Sequence, residues 1–158
     1  MAIAAIDANV LVGLLDSHDQ WHPAAVTLRD ALCEAGVEPV YFDCVLNETI
    51  TVLARRVREQ GQPEQLGVVL DQLARLILAD DITWISRGIQ RLYHQVVSLV
   101  RSSSGALDFH NSLMALVCRE MGISAVISFD RDFDQVDWLI RAGSATELSA
   151  ALLTFVFS

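Results

Sequence analysis

The chain has 158 residues, 53% of them apolar and 20% charged, with a mean hydropathy of +0.38, so a single domain over residues 1–158 with a sizeable core is expected and intrinsic disorder is excluded. The formal net charge is −9, from 20 acidic and 11 basic residues, and all 11 basic residues are Arg. The absence of Lys excludes a P-loop, whose Lys holds the phosphates, and Schiff-base chemistry, which needs a Lys amine.

Ala2–Ile6 is a short apolar run that reads as a buried strand. Asp7, Ala8 and Asn9 follow, and Val10–Leu15 reads as helical. Pro23 suits a first helical position, and a helix from there runs to Ala35 before Gly36 stops it. Pro39 precedes a second strand, Val40–Phe42. Leu46, Ile50, Leu53 and Val57 make Cys44–Glu59 an amphipathic helix, broken by Gly61 and Pro63. Glu64–Ala79 is another, with Leu66, Leu70, Leu73 and Ile77 on one face. Ile82–Ile85 reads as a strand and Gly88–Arg101 as a helix. Ser102-Ser103-Ser104-Gly105 is a loop ahead of a helix from Leu107 to Met121, closed by Gly122. Ala125–Phe129 is a buried strand followed at once by Asp130-Arg131-Asp132-Phe133, and the apolar tail Thr146–Ser158 fits helix or strand. Strands alternating with helices imply βαβ units and a parallel sheet.

The longest stretch without a charged residue is Leu148–Ser158, 11 residues, against the roughly 20 of a membrane-spanning helix. No Lys or Arg precedes Arg29, so the start lacks the basic end of a secretory signal. The expectation is a cytoplasmic protein with no membrane contact. Cys33, Cys44 and Cys118 are an odd count without metal spacing and read as buried thiols in a reducing compartment.

Four carboxylates occupy informative places. Asp7 and Asp130 each end a strand, and in a parallel sheet those ends share the edge where ligands bind. Glu48 lies in the first turns of the helix after Val40–Phe42, and Asp108 in the first turn of the helix after the Ser-Gly loop. Helices covering a parallel sheet begin near its carboxyl edge, so all four converge. Two carboxylates about 4 Å apart repel by about 4 kcal/mol at an effective dielectric of about 20. Helix N-termini offset only about 0.3–1 kcal/mol each. A hard divalent cation does more, and an all-oxygen donor set points to Mg²⁺ or Mn²⁺ rather than Zn²⁺. Such ions activate water and neutralise phosphoryl charge. No Ser/His/Asp, Cys/His or GxSxG arrangement competes for the role.

Each residue also has a plainer reading. Asp7 could cap a helix, Glu48 and Asp108 could be first-turn charges that favour the dipole, and Asp130 could start a turn. Leu107 and Phe109 suggest partial burial of Asp108. Asp132 is an alternative to Asp130 as the site acid; Asp134 and Asp137 read as surface. His18, His22, His94 and His110 read as packed or surface imidazoles, and Arg55, Arg56 and Arg58 as a solvated helix face. Trp21, Trp84 and Trp138 lack interleaved basic residues and read as core or interface packing rather than base-stacking platforms.

Ile-Asp-Ala-Asn-Val-Leu at 6–11, Leu-Asn-Glu-Thr-Ile-Thr-Val-Leu at 46–53, and the stretch Gly105–Phe133 with its Leu-Asp-Phe-His-Asn-Ser and Ile-Ser-Phe-Asp-Arg-Asp-Phe resemble the acid motifs of PIN-domain nucleases, in order and with matching strand context. The resemblance runs from Asp7 to Phe133. It implies a three-layer α/β/α sandwich with a central, mainly parallel sheet. It implies metal-dependent cleavage of RNA, often by the toxin of a VapC-like toxin–antitoxin pair, and so an antitoxin protein as partner. Asp7, Glu48, Asp108 and Asp130 would then be the catalytic metal-binding acids, with Mg²⁺ or Mn²⁺ as cofactor. Asn9 and Ser128 resemble the polar positions flanking that site; Asp132 and Arg55 stand close enough in sequence to assist. Arg55, Arg56, Arg58 and Arg131 are the cations available for RNA phosphates.

Two other readings remain. One is a PIN-like binding or assembly module without catalysis, with Leu148–Phe157 and the leucine face of Glu64–Ala79 as surfaces for a homodimer or an antitoxin. The other is a metal-dependent phosphatase acting on small phosphate esters.

Overall fold

The first strand, β1 (Ile3–Ile6), ends where Asp7 takes a cap conformation and its side chain accepts the Ala8 N–H, opening α1 (Ala8–Leu15). The computed structural model describes residues 2–156, the last two by backbone alone. After α1 come α2 (His22–Glu34), β2 (Glu38–Phe42), α3 (Asp43–Glu59), α4 (Gln65–Leu76) and β3 (Ile82–Thr83). Then follow α5 (Ile89–Ser102), α6 (Phe109–Met121), β4 (Ala125–Ile127), a 3₁₀ turn at Arg131–Gln135, β5 (Ile140–Ala142) and α7 (Ala145–Val156).

The five strands form one parallel sheet in the order β3-β2-β1-β4-β5. Strand β1 is central: Ala5 pairs with Val40 on one side and Val126 on the other. The chain builds outward from β1 through β2 and β3, then returns to its other side for β4 and β5. The order of strand addition therefore reverses between β1 and β4, and such a switch point opens a crevice at the carboxyl ends of the strands. Helices cover both faces in a three-layer α/β/α sandwich. Contacts run through α1, α2, α3, α4 and α7, while α5 and α6 pack on each other. The β1 and β4 side chains are sealed between the layers, including Ala4, Ala5, Val126 and Ile127. Strands buried on both faces must be uniformly apolar, which is why these runs show no alternation. Gly122, at φ 70°, ends α6 in the left-handed conformation that favours Gly.

Several boundaries differ from the sequence expectation, and side chains are the cause. The strand read as Ile82–Ile85 stops at Thr83, because the Ile85 and Ser86 amides donate to the Asp43 carboxylate, at 3.0 and 3.2 Å, instead of a ladder. The strand read as Ala125–Phe129 stops at Ile127, because the Phe129 amide donates to Asn9 Oδ1 and the Asp130 amide to Ser128 Oγ. The helix read from Leu107 begins at Phe109, with Asp108 as its cap. Strand β5 was not legible; three residues are too few to carry a period. The ambiguous tail is helical through Val156, and Leu148 and Ala151 are buried, so that part of the Leu148–Phe157 stretch is core rather than open surface. Phe157 and Ser158 lie outside the described residues. On α3, Leu46, Leu53 and Val57 are buried as expected, but Ile50 is exposed. Cys44 and Cys118 are buried, whereas Cys33 is exposed. Among the described residues, no helix is long and apolar enough to cross a membrane.

Candidate functional site

Asp7 sits at the carboxyl end of the central strand, its amide still donating to Ile127 O at 3.0 Å. Its side chain is 4% exposed. Ala8 N donates to Oδ1 at 2.7 Å and Ser128 Oγ donates to Oδ2 at 2.6 Å. Burial nevertheless dominates, and the carboxyl is pushed up to about 7, with Glu48 and Asp130 adding repulsion.

Ser128 organises the junction of β1 and β4. Besides donating to Asp7, its hydroxyl oxygen accepts from Asn9 Nδ2 at 3.1 Å and from the Asp130 amide at 2.9 Å. Asn9 in turn accepts the Phe129 amide at 3.2 Å. This network fixes Asp130 relative to Asp7 across two strands, so the expected roles of Asn9 and Ser128 as flanking polar groups have a geometric basis.

Asp130 caps the 3₁₀ turn, its Oδ1 accepting the Asp132 amide at 2.9 Å. Its carboxyl is raised, first by burial and also by the charges of Asp132 and Asp108. Asp132 is thus a close neighbour of the site acid. Glu48, half-buried on α3, is raised first by burial, then by repulsion from Asp108 and Asp130, with His110 opposing. Asp108 caps α6, its Oδ1 accepting the Asn111 amide at 2.8 Å. The partial burial expected for Asp108 is not seen: Leu107 is buried, but the Asp108 side chain is exposed. The cap position explains this, since a capping carboxylate sits at the open end of its helix.

The four acids therefore act on one another from β1, α3, α6 and the end of β4. Three of them, Asp7, Asp108 and Asp130, are caps, in keeping with the plainer reading. Asn111 completes the group: its Nδ2 donates to Asp130 Oδ2 at 3.4 Å while its amide serves Asp108. Sequence reasoning missed it, although an Asn three residues after a capping Asp is the available signal.

All the donors are oxygens, the chemistry of Mg²⁺ or Mn²⁺. Among the described residues, no three His, Cys, Asp or Glu side chains stand close enough to close around one ion.

Glu48 and Arg55, seven residues apart on α3, line the same cavity, together with Asn9 and Trp21. Arg55 is exposed and only loosely paired, 3.9 Å from Glu59. Arg56 is committed elsewhere, bonded to Asp16 at 2.9 Å and to Asp19. Trp21 and Trp84 are exposed, not core.

The PIN domain family model matches residues 4–139, which covers β1 through the 3₁₀ turn and all four acids. Two solved structures share the fold. The sarcin–ricin-loop-cleaving toxin VapC20 of Mycobacterium tuberculosis is 22% identical, with a TM-score of 0.61 over 86% of this chain and 95% of that one. A chain of VapBC2 from Rickettsia felis, bound to a DNA fragment from their promoter, is 16% identical, with a TM-score of 0.62 over 89% of this chain and 97% of that one. No curated relative matches the chain significantly.

Proposed function

The chain belongs to the PIN-domain family, and from that premise we propose that it is a Mg²⁺- or Mn²⁺-dependent endoribonuclease whose catalytic acids are Asp7, Glu48, Asp108 and Asp130. One observation carries the reading: four carboxylates from four chain segments meet at the sheet's switch point, and burial and mutual repulsion raise three of them. Folding does not favour such a cluster unless a cation fills it. The bound cation supplies charge neutralisation at the phosphate and activation of water for hydrolysis.

The chain's own residues do the rest. Ser128 and the Ala8 amide hold the Asp7 carboxylate in one orientation. Asn111 holds Asp130. Asp108, exposed at a helix end, is the acid best placed to meet solvent and substrate. Arg55 is the cation beside Glu48 able to hold a substrate phosphate.

The test is cleavage of labelled RNA in Mn²⁺ by wild type and Asp108→Asn. Asn caps as well as Asp, so the fold survives. Cleavage should be lost in the variant; equal cleavage would sink the assignment.

A role as the toxin of a toxin–antitoxin pair, cytoplasmic and inhibited by a small antitoxin protein, is the biological context we infer. It is supported by family membership and by the fold shared with a sarcin–ricin-loop-cleaving toxin. Self-association is a compatible reading, supported by exposed apolar side chains: Leu78, Trp84 and Tyr93 are 60%, 67% and 50% exposed. Sedimentation should then show a dimer; a clean monomer at high concentration would count against it.

A further inference from the structure

The cavity against Trp21 is not explained by metal chemistry. It has a volume of about 250 Å³, and its walls include Asn9, Gln20, Trp21, Glu48, Val52 and Arg55. That is below the roughly 300–1,000 Å³ of a site for a drug-sized ligand, a scale that suits one planar ring. Its wall is continuous with the acids: Glu48 belongs to both, and Asn9 is bonded to Ser128, which is bonded to Asp7.

Trp21 is built as a platform. Phe129 stacks on it with ring centroids 4.7 Å apart and planes 9° from parallel. Phe129 directly precedes Asp130, so the stack ties the indole to the acidic centre. Trp21 is among the cavity's walls and Phe129 is not. The Trp21 amide donates to Asp19 Oδ1 at 2.7 Å, and Asp19 Oδ2 is bonded to Arg56. The Trp21 backbone is held by Asp19 and one face of its ring by Phe129, yet the residue remains 42% exposed. A large, fixed, exposed aromatic surface beside a loosely paired Arg is the arrangement by which proteins hold unpaired bases and their phosphates.

We propose that this cavity is a nucleobase pocket for single-stranded RNA, in which a base next to the cleaved phosphate stacks on Trp21 while Arg55 holds the adjoining phosphate. The proposal rests on the ribonuclease reading and adds its substrate form: RNA with an unstacked base rather than a continuous duplex.

The test uses a dye-labelled ten-nucleotide single-stranded RNA of mixed sequence and the same ribose-phosphate backbone without bases. Binding is measured by anisotropy in EDTA, where no cleavage occurs. Stacking of one base is worth about 1–3 kcal/mol, so wild type should prefer the base-bearing strand by about 5- to 150-fold. Trp21→Leu should lose that preference, and Trp21→Phe should keep most of it. The base-bearing strand should also quench indole fluorescence in wild type, and that quench should vanish in Trp21→Phe; this carries the test if Trp21→Leu folds poorly. Equal binding of both strands by wild type, or an unchanged preference in Trp21→Leu, overturns the pocket. If wild type then still cleaves RNA in Mn²⁺, the ribonuclease reading stands without it. If wild type neither binds nor cleaves, both fall.

Discussion

Replacing Asp7 by Asn should make the metal-free protein more stable at pH 8. Burial lifts the Asp7 carboxyl from 3.8 to about 7, and each tenfold change in proton affinity corresponds to about 1.4 kcal/mol. Holding Asp7 ionised in the folded state therefore costs roughly 4 kcal/mol. Asn removes that cost but has one oxygen where Asp7 uses two, for Ala8 N and Ser128 Oγ. Losing one buried hydrogen bond costs about 1–3 kcal/mol. The net gain should be about 1–3 kcal/mol, or about 2–12 °C in melting midpoint for a chain of this size. The sign depends on pH. A carboxyl whose folded pKa lies above its unfolded value binds more protons when folded, so its contribution is full below about pH 4 and is lost as pH rises through about 7. At pH 4 the gain should vanish and turn into a small loss, because only the hydrogen bond then differs. Mn²⁺ should close or invert the gap at pH 8. At about 100 times its dissociation constant it adds about 2.7 kcal/mol to wild type and little to the variant. Thermal melts at pH 4 and 8, in EDTA and in Mn²⁺, read all of this. An Asp7→Asn protein that melts below wild type at pH 8 in EDTA would refute the burial argument, and equal Mn²⁺ shifts in both would refute the metal site.

Asp108→Ala should lose about 0.5–2 kcal/mol of stability while Asp108→Asn loses almost none, because the Asn111 amide loses its cap only in the former; identical melts would show the cap to be idle. Ser112 Oγ is buried without a hydrogen-bond partner, so Ser112→Ala should be neutral or stabilising by up to about 1 kcal/mol in urea unfolding, and a loss above about 1 kcal/mol would reveal a partner. RNA binding in EDTA should depend weakly on salt. With Arg55 and at most one further cation on phosphates, the log–log slope for a single strand should fall between about −0.7 and −1.4, and a slope beyond about −3 would place many more arginines on the RNA.

The parts of the site legible in the sequence were those where local chemistry changes sharply. Asp7 and Asp130 each follow an apolar run, so strand end and carboxylate are read together. Glu48 and Arg55 are seven apart on a helix whose period is clear, and they do share a cavity. Glu48 and Asp108 were placed because helices start near the carboxyl edge of a parallel sheet. What stayed illegible depends on contacts across the fold. Asn111 acts through a bond to Asp130, 19 residues away. The stack of Trp21 on Phe129 joins the start of α2 to the end of β4, and neither has a basic neighbour to suggest a nucleic-acid role. The short strands were read in the right places, and only their ends differ for the same reason: β3 and β4 stop where the side chains of Asp43, Asn9 and Ser128 take the backbone amides. No propensity reports such a competition.

The caps also explain how an acidic chain tolerates this centre. Asp7 and Asp108 stand at the N-termini of α1 and α6, and Asp130 at a short 3₁₀ turn. Helix ends of this kind offset about 0.3–1 kcal/mol each, less than the roughly 4 kcal/mol by which one close carboxylate pair repels. The carboxyls of Asp7, Glu48 and Asp130 are raised first by burial, and mutual repulsion adds to it. None of the 11 arginines forms an ion pair with any of the four acids among the described residues; Arg56 is spent on Asp16 and Asp19, and Arg141 on Asp134 and Glu147. Within the chain, Ser128 and the Ala8 amide ease the charge of Asp7 and His110 that of Glu48; the proposed cation would supply the rest. An RNA phosphate meeting uncompensated carboxylates would be repelled, and a net charge of −9 adds to that repulsion at long range. Cation binding and phosphate approach are thus coupled by charge, and stacking of a neutral base on Trp21, as proposed, would add binding that this repulsion does not touch.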